Sequence, residues 1–157
     1  KHISKLDWDK VDYDGDPNTR YANATTQEYK NIIEAANMSD IETPNDIYGC
    51  SISVNVAYWR KVNAVHNWFV ENVQNGNDDC SEYYVSQNKL KELLQVVKTA
   101  IITKDPSLIP PQAGFFFGST DIDEWYWHGL QNTREQLKRI ISFDNFEDLS
   151  FYYQSSW

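Results

Sequence analysis

The sequence predicts an α+β fold, mainly α: a single domain, residues 1–157, of about four helices packed with a small two- or three-stranded β element that includes the C-terminal strand. Three observations predict it. Apolar residues recur three and four apart in long segments that open on capping residues and close on breakers, the pattern of helices laying one face on a core. Short aromatic runs, Phe115–Phe117 and the terminal Leu149–Trp157, read instead as strands. The 157 residues, 41% apolar and 15% aromatic, suit one core that buries roughly two-thirds of the unfolded surface.

Taken in order, residues 1–24 are polar and turn-rich and are expected to be an irregular N-terminal segment. Asp12, Asp14 and Asp16 alternate as in a calcium loop, yet Pro17 stands where such a loop needs glycine and Asn23 where it needs a bidentate Glu, so a turn is expected. Thr25-Thr26-Gln27-Glu28 is a capping box that opens a helix to about Asn37, burying Tyr29, Ile32, Ile33 and Ala36. Residues 39–48 break it. Ile52, Val54 and Val56 alternate with Ser53 and Asn55, a short strand or an extended lead-in.

The stretch that organises the chain is Tyr58–Cys80. Trp59, Val62, Phe69 and Val73 keep one helical face, which also carries His66, and Gly76 supplies a left-handed stop before an acidic loop. Ser86 then caps a third helix with the stripe Leu90, Leu93, Leu94, Val97, Ala100 and Ile101, expected to pair with the preceding helix as an antiparallel hairpin. Asp105-Pro106 ends it. Gly114–Gly118 reads as a strand between tight backbone positions. Ser119, Thr120 or Asp121 is expected to cap a fourth helix with Tyr126, Leu130, Thr133, Leu137, Ile140 and Ile141 inward. The C-terminal strand has Gly114–Gly118 as its expected partner.

Charge and composition exclude several classes. A net charge of −9 argues against direct nucleic-acid binding, which needs a basic face. No apolar run approaches the ~20 residues of a membrane span, and no signal-peptide pattern opens the chain, although residue 1 is Lys and residues upstream are expected. Two cysteines, Cys50 and Cys80, in a domain of this size suit free thiols. No cofactor motif and no closely spaced metal-ligand pair is present, so neither cofactor nor metal is expected.

Candidate site residues gather around the organising helix. Arg60 and Lys61 offer charged donors to an anion; Asn63 and Asn67 add amide donors, and His66 reads as a satisfied core histidine or as a ligand contact. Asp78 or Asp79 could join His66 as an acid–base pair. A Cys80 nucleophile is disfavoured, because His66 lies about 15 Å of helix below Gly76. Trp68, Phe116, Trp125 and Tyr126 supply aromatic walls, and Trp125 and Trp127 also suit self-association into a homo-oligomer.

The strings WRKVNAVHNWFVENVQNGNDDC, GFFFGST followed by DEWYW, and FYYQSSW resemble, in the same order, a family of small uncharacterised proteins encoded by bacteriophages and prophages. The resemblance covers about Tyr58–Trp157. It implies a phage accessory protein in the bacterial host cytoplasm, with counter-defence among the roles such proteins take, and it brings no activity across.

Residues and resemblance together lead to an expectation of binding more than catalysis. The site residues are Arg60, Lys61, Asn63, His66, Asn67, Trp68, Asp79, Phe116, Trp125 and Tyr126. They would sequester or inhibit a host component, the partner being a host protein or a small anionic ligand such as a nucleotide signal. The alternative is a small hydrolase or nucleotide-modifying enzyme that uses His66 with Asp78 or Asp79.

Overall fold

The computed structural model describes residues 2–14, 16, 20–21, 23–39, 49–113 and 119–156. The strand expected at 114–118, its pairing, Phe116, the break at 40–48 and part of the Asp12–Asn18 turn lie outside them. The chain forms two compact units, Lys1–Val54 and Asn55–Trp157, each with its own buried cluster. Among the described residues the architecture is mainly helical, with four α-helices and two antiparallel two-stranded sheets.

In the first unit, strand β1 (His2–Ser4) pairs with β2 (Gly49–Ser51), Ile3 opposite Cys50. The first 24 residues are therefore less irregular than their composition suggests: besides β1 they hold a 3₁₀ turn at Trp8–Lys10, and Leu6 bridges to Thr25. Helix α1 (Gln27–Ala35) is capped by Thr26, whose hydroxyl accepts from the Tyr29 amide and donates to the Ser4 carbonyl. The cap thus sits one residue after Thr25, which puts Tyr29 and not Glu28 at the third helical position. Tyr29 is buried, Ile32 and Ile33 are half-buried, and Ala36 is exposed, contrary to its expected inward place. Leu6, Val11 and Ala24 form the small core.

Ile52 and Val54 remain exposed, so the alternating stretch after β2 is a lead-in and not a strand. In the second unit, α2 (Asn63–Asn72) begins four residues later than the apolar period, which starts at Trp59, suggests. Lys61 takes a left-handed φ of 58°, which no helix interior accommodates, so Trp59, Arg60 and Lys61 stay outside the helix. Gly76 is left-handed as expected, at φ 78°, although the helix has already ended at Asn72.

Strand β3 (Tyr83–Val85) leads into α3 (Gln87–Thr103), capped by the Ser86 hydroxyl on the Lys89 amide. Its stripe from Leu90 to Ala100 is buried as read, with Ile101 half-buried. The main helical partner of α3 is the next helix, α4 (Glu124–Ile141), and not α2, so the expected α2–α3 hairpin gives way to packing of α3 on the helix that follows it. Leu93, Val97, Leu130, Leu137 and Ile140 fill that seam, and each large side chain contributes roughly 1.5–3 kcal/mol on burial. The exposed ion pairs, such as Lys91–Glu147 and Lys138–Glu135, contribute at most about 1 kcal/mol each, so apolar packing decides this unit's stability. Helix α4 is capped by Asp123, two residues beyond the last expected cap. Strand β4 (Phe151–Tyr153) pairs with β3, Tyr84 opposite Tyr152. No helix among the described residues is long and apolar enough to cross a membrane.

Residues 56–62 lie antiparallel along α4. Arg139 donates to the Val56 carbonyl (2.7 Å), the Gln136 amide bonds both the N–H and the C=O of Tyr58 (2.9 and 3.2 Å), and the Trp59 indole donates to Thr133 (3.0 Å). A side chain at Gly129 would press on Val62, its Cβ only 3.1 Å from the nearest Val62 methyl. The four helix positions fall on one α4 face, so this strap fixes where Arg60 and Lys61 stand.

Replacing Thr133 by Val should lower unfolding stability by about 1–2 kcal/mol, seen as a lower urea midpoint at unchanged slope, because the Trp59 N–H loses its acceptor; an unchanged midpoint would show that this bond does not hold the strap. A Cβ at Gly49 would strike the Ile3 carbonyl oxygen, so Gly49→Ala should cost about 1–3 kcal/mol and speed hydrogen exchange at Ile3 and Cys50, while exchange at Leu93 stays slow.

Candidate functional site

The strap, the loop before α4 and the first turns of α4 enclose a cavity of about 580 Å³. Tyr58, Arg60, Lys61 and Asn63 line one side; Ser119, Asp121, Asp123, Trp125, Tyr126, His128 and Asn132 line the other. Its volume is in the range of small-molecule sites.

Arg60 and Lys61 are exposed and make no ion pair among the described residues. Opposite them the polarity reverses: Asp121 Oδ2 accepts from the Ser119 hydroxyl at 2.6 Å, and Asp123 Oδ1 accepts from the Tyr126 amide at 3.0 Å. Asn63 donates to the Ser119 carbonyl at 2.8 Å and thereby ties the α4 loop to the start of α2. Tyr58 and Trp125 are 74% and 81% exposed, enough to offer ring faces to a ligand. Tyr126 turns inward instead, donating to the Ile109 carbonyl at 3.0 Å.

Of the residues picked from the sequence, the cavity gathers Arg60, Lys61, Asn63, Trp125 and Tyr126. The remaining described ones lie elsewhere. Trp68 is buried edge-on against Phe69, with the Lys89 ammonium 5.8 Å above its ring. Asn67 donates to the Pro110 carbonyl. The Asp79 carboxylate accepts from the Ser81 amide and the Tyr83 hydroxyl; the Ser81 N–H foremost holds its pKa below the ordinary value.

His66 is buried and belongs to a separate polar cluster. Its Nδ1 lies 2.8 Å from the Tyr153 hydroxyl. Its Nε2 lies 3.2 Å from Asp78 Oδ1, an ion-pair distance but off the line of a hydrogen bond. Tyr153 also stacks on Phe69, ring centroids 4.0 Å apart and planes within 8°. Cys50 and Cys80 are free thiols.

Sequence reading missed Tyr58, Ser119, Asp121, Asp123 and Asn132 as cavity residues and Tyr153 as the partner of His66. Asp121 carries a visible signal in the sequence, but as a candidate helix cap. Tyr153 stands 87 residues from His66, a separation at which no periodicity reports. No protein-family model, curated protein or solved structure matches the chain.

Burial, then the Asp78 charge, raises Tyr153 well above the ordinary phenol value of 10.0; burial, then Asp105, raises Tyr126 to about 12. A raised value in the folded state favours the neutral phenol. The stability these groups contribute is therefore complete below about pH 10 and is lost as pH climbs through the folded values. In an ultraviolet titration of tyrosinate, at least two of the ten tyrosines should stay protonated near pH 11, and Tyr126→Phe with Tyr153→Phe should remove that late fraction; all ten titrating together near pH 10 would contradict the assignment.

Proposed function

We propose that this protein binds a small anionic ligand in the cavity beside α4 without turning it over, and that it serves as a phage accessory protein in the bacterial host cytoplasm by sequestering or inhibiting a host component. The observation that carries the reading is the convergence in one cavity of Arg60 and Lys61, unpaired among the described residues, with the exposed rings of Tyr58 and Trp125. Guanidinium and ammonium groups recognise phosphate or carboxylate, while the rings suit a planar body. The phage assignment rests on the sequence resemblance of Tyr58–Trp157. An exposed Trp125 would also serve a docked host segment or a second copy.

The contact of His66 with Asp78 supports a second reading, a small hydrolase or nucleotide-modifying enzyme. A histidine oriented by a carboxylate is the usual general base. Against it, His66 is not among the residues lining the cavity, and its Nδ1 is engaged by Tyr153.

One experiment separates the two. The protein is mixed with a defined set of nucleoside mono- and triphosphates and cyclic nucleotides, freed of unbound ligand by gel filtration, and denatured. Retention of about one equivalent, returned chemically intact and lost in Arg60→Ala/Lys61→Ala, is the expected outcome. Conversion to product that disappears in His66→Ala would replace binding with catalysis, and no retention at all would overturn the cavity reading.

A further inference from the structure

The charges in the cavity are ordered along α4, and their order restricts the ligand. The strap places Trp59 at Thr133 and Val62 at Gly129, so Arg60 and Lys61 stand beside the stretch between those two helix positions. Asp121 and Asp123 stand at the N-terminal end of the same helix, next to Ser119, which Asn63 holds. The cationic and acidic ends are therefore separated by about 9–15 Å of helix. The exposed Trp125 indole lies at the acidic end.

Both carboxylates keep an unused oxygen. Asp121 Oδ2 is taken by Ser119 and Asp123 Oδ1 by the Tyr126 amide, which leaves Asp121 Oδ1 and Asp123 Oδ2 without a hydrogen bond among the described residues. A plain polyphosphate or dicarboxylate would satisfy Arg60 and Lys61 but meet like charge at the other end. The fitting ligand is anionic at one end, planar beside Trp125, and rich in donors at the edge that faces Asp121 and Asp123.

Among nucleotides only one common base has that edge. Guanine presents N1–H and the N2 amino group side by side, two adjacent donors, one for each of the unused oxygens Asp121 Oδ1 and Asp123 Oδ2. Adenine places a bare ring nitrogen at the same point, which faces a carboxylate as acceptor against acceptor. Uracil flanks its one N–H with two carbonyls, and cytosine sets an acceptor beside its amino group.

We infer that the cavity selects a guanine nucleotide: the base stacked on Trp125, its N1–H and N2 amino edge on Asp121 and Asp123, and its phosphate on Arg60 and Lys61. This rests on the anion-binding reading above and adds base selectivity to it. Asp121 is the sharper determinant, because Asp123 must also cap α4.

The test is a set of equilibrium titrations of the full chain, followed by tryptophan fluorescence and calorimetry, with guanosine, inosine and adenosine 5′-monophosphates. The guanine nucleotide should bind about ten- to hundredfold more tightly than the adenine nucleotide, with inosine, which lacks the N2 amino group, in between. Asp121→Asn should compress that ratio towards one with little change for the adenine nucleotide, whereas Arg60→Ala should weaken all three alike. Circular dichroism of each variant reports whether it folds, and the comparison of wild-type ligands needs no variant. Equal binding of the guanine and adenine nucleotides would overturn the base assignment and leave the anion site standing; failure of all three to bind would remove the anion site itself.

Discussion

The second unit depends on one extended segment held along a helix. Residues 56–62 have no regular structure of their own, and their backbone polar groups would be costly to bury without partners. Helix α4 supplies partners in register for three of them, Arg139 to the Val56 carbonyl and Gln136 to both backbone groups of Tyr58, and Thr133 also accepts from the Trp59 indole. The glycine at 129 completes the fit by letting Val62 approach. Everything polar in the cavity inherits its place from this arrangement: Arg60 and Lys61 project from the strap, and Asn63 begins α2 where the strap ends.

The same unit keeps its two sets of polar groups apart. Asp78, His66 and Tyr153 form a line of polar groups beside the Phe69 ring, with His66 buried and its two neighbours half-buried. Arg60, Lys61, Asp121 and Asp123 stay in contact with water, solvated and available to a ligand. The first set suits holding β4 and the loop after α2 against the helix; the second suits recognition. A histidine that looks functional by its neighbours in sequence thus takes part in packing a strand end.

What the sequence made legible follows from the range of the forces concerned. The stripe of α3 and the inward face of α4 were readable residue by residue, since periodicity records burial within a helix, and Ser86 and the Thr25-Thr26 pair marked helix starts through short-range capping. Lys61 was misplaced inside a helix because its left-handed backbone is imposed by the strap and leaves no trace in apolar spacing. Strand β3 was invisible for the complementary reason: three residues, Tyr83–Val85, are too few to show a period, and their pairing with Phe151–Tyr153 is a long-range fact. Part of the candidate site was legible, because Arg60, Lys61, Asn63, Trp125 and Tyr126 were singled out by type. The carboxylates facing them were not, because a capping aspartate and a ligand-facing aspartate look alike in a string of letters.

The contacts that fasten the strap join residues 74 to 83 positions apart. Loop closure over such distances costs entropy before any contact returns it, whereas α3 and α4 can form from local interactions. The groove between strap and helix is therefore a late product of folding, assembled only after the helical seam exists. A molecule that fits it meets no partial version of its binding surface in the nascent chain and engages the finished protein alone, so its occupancy acts as a thermodynamic clamp on the native state.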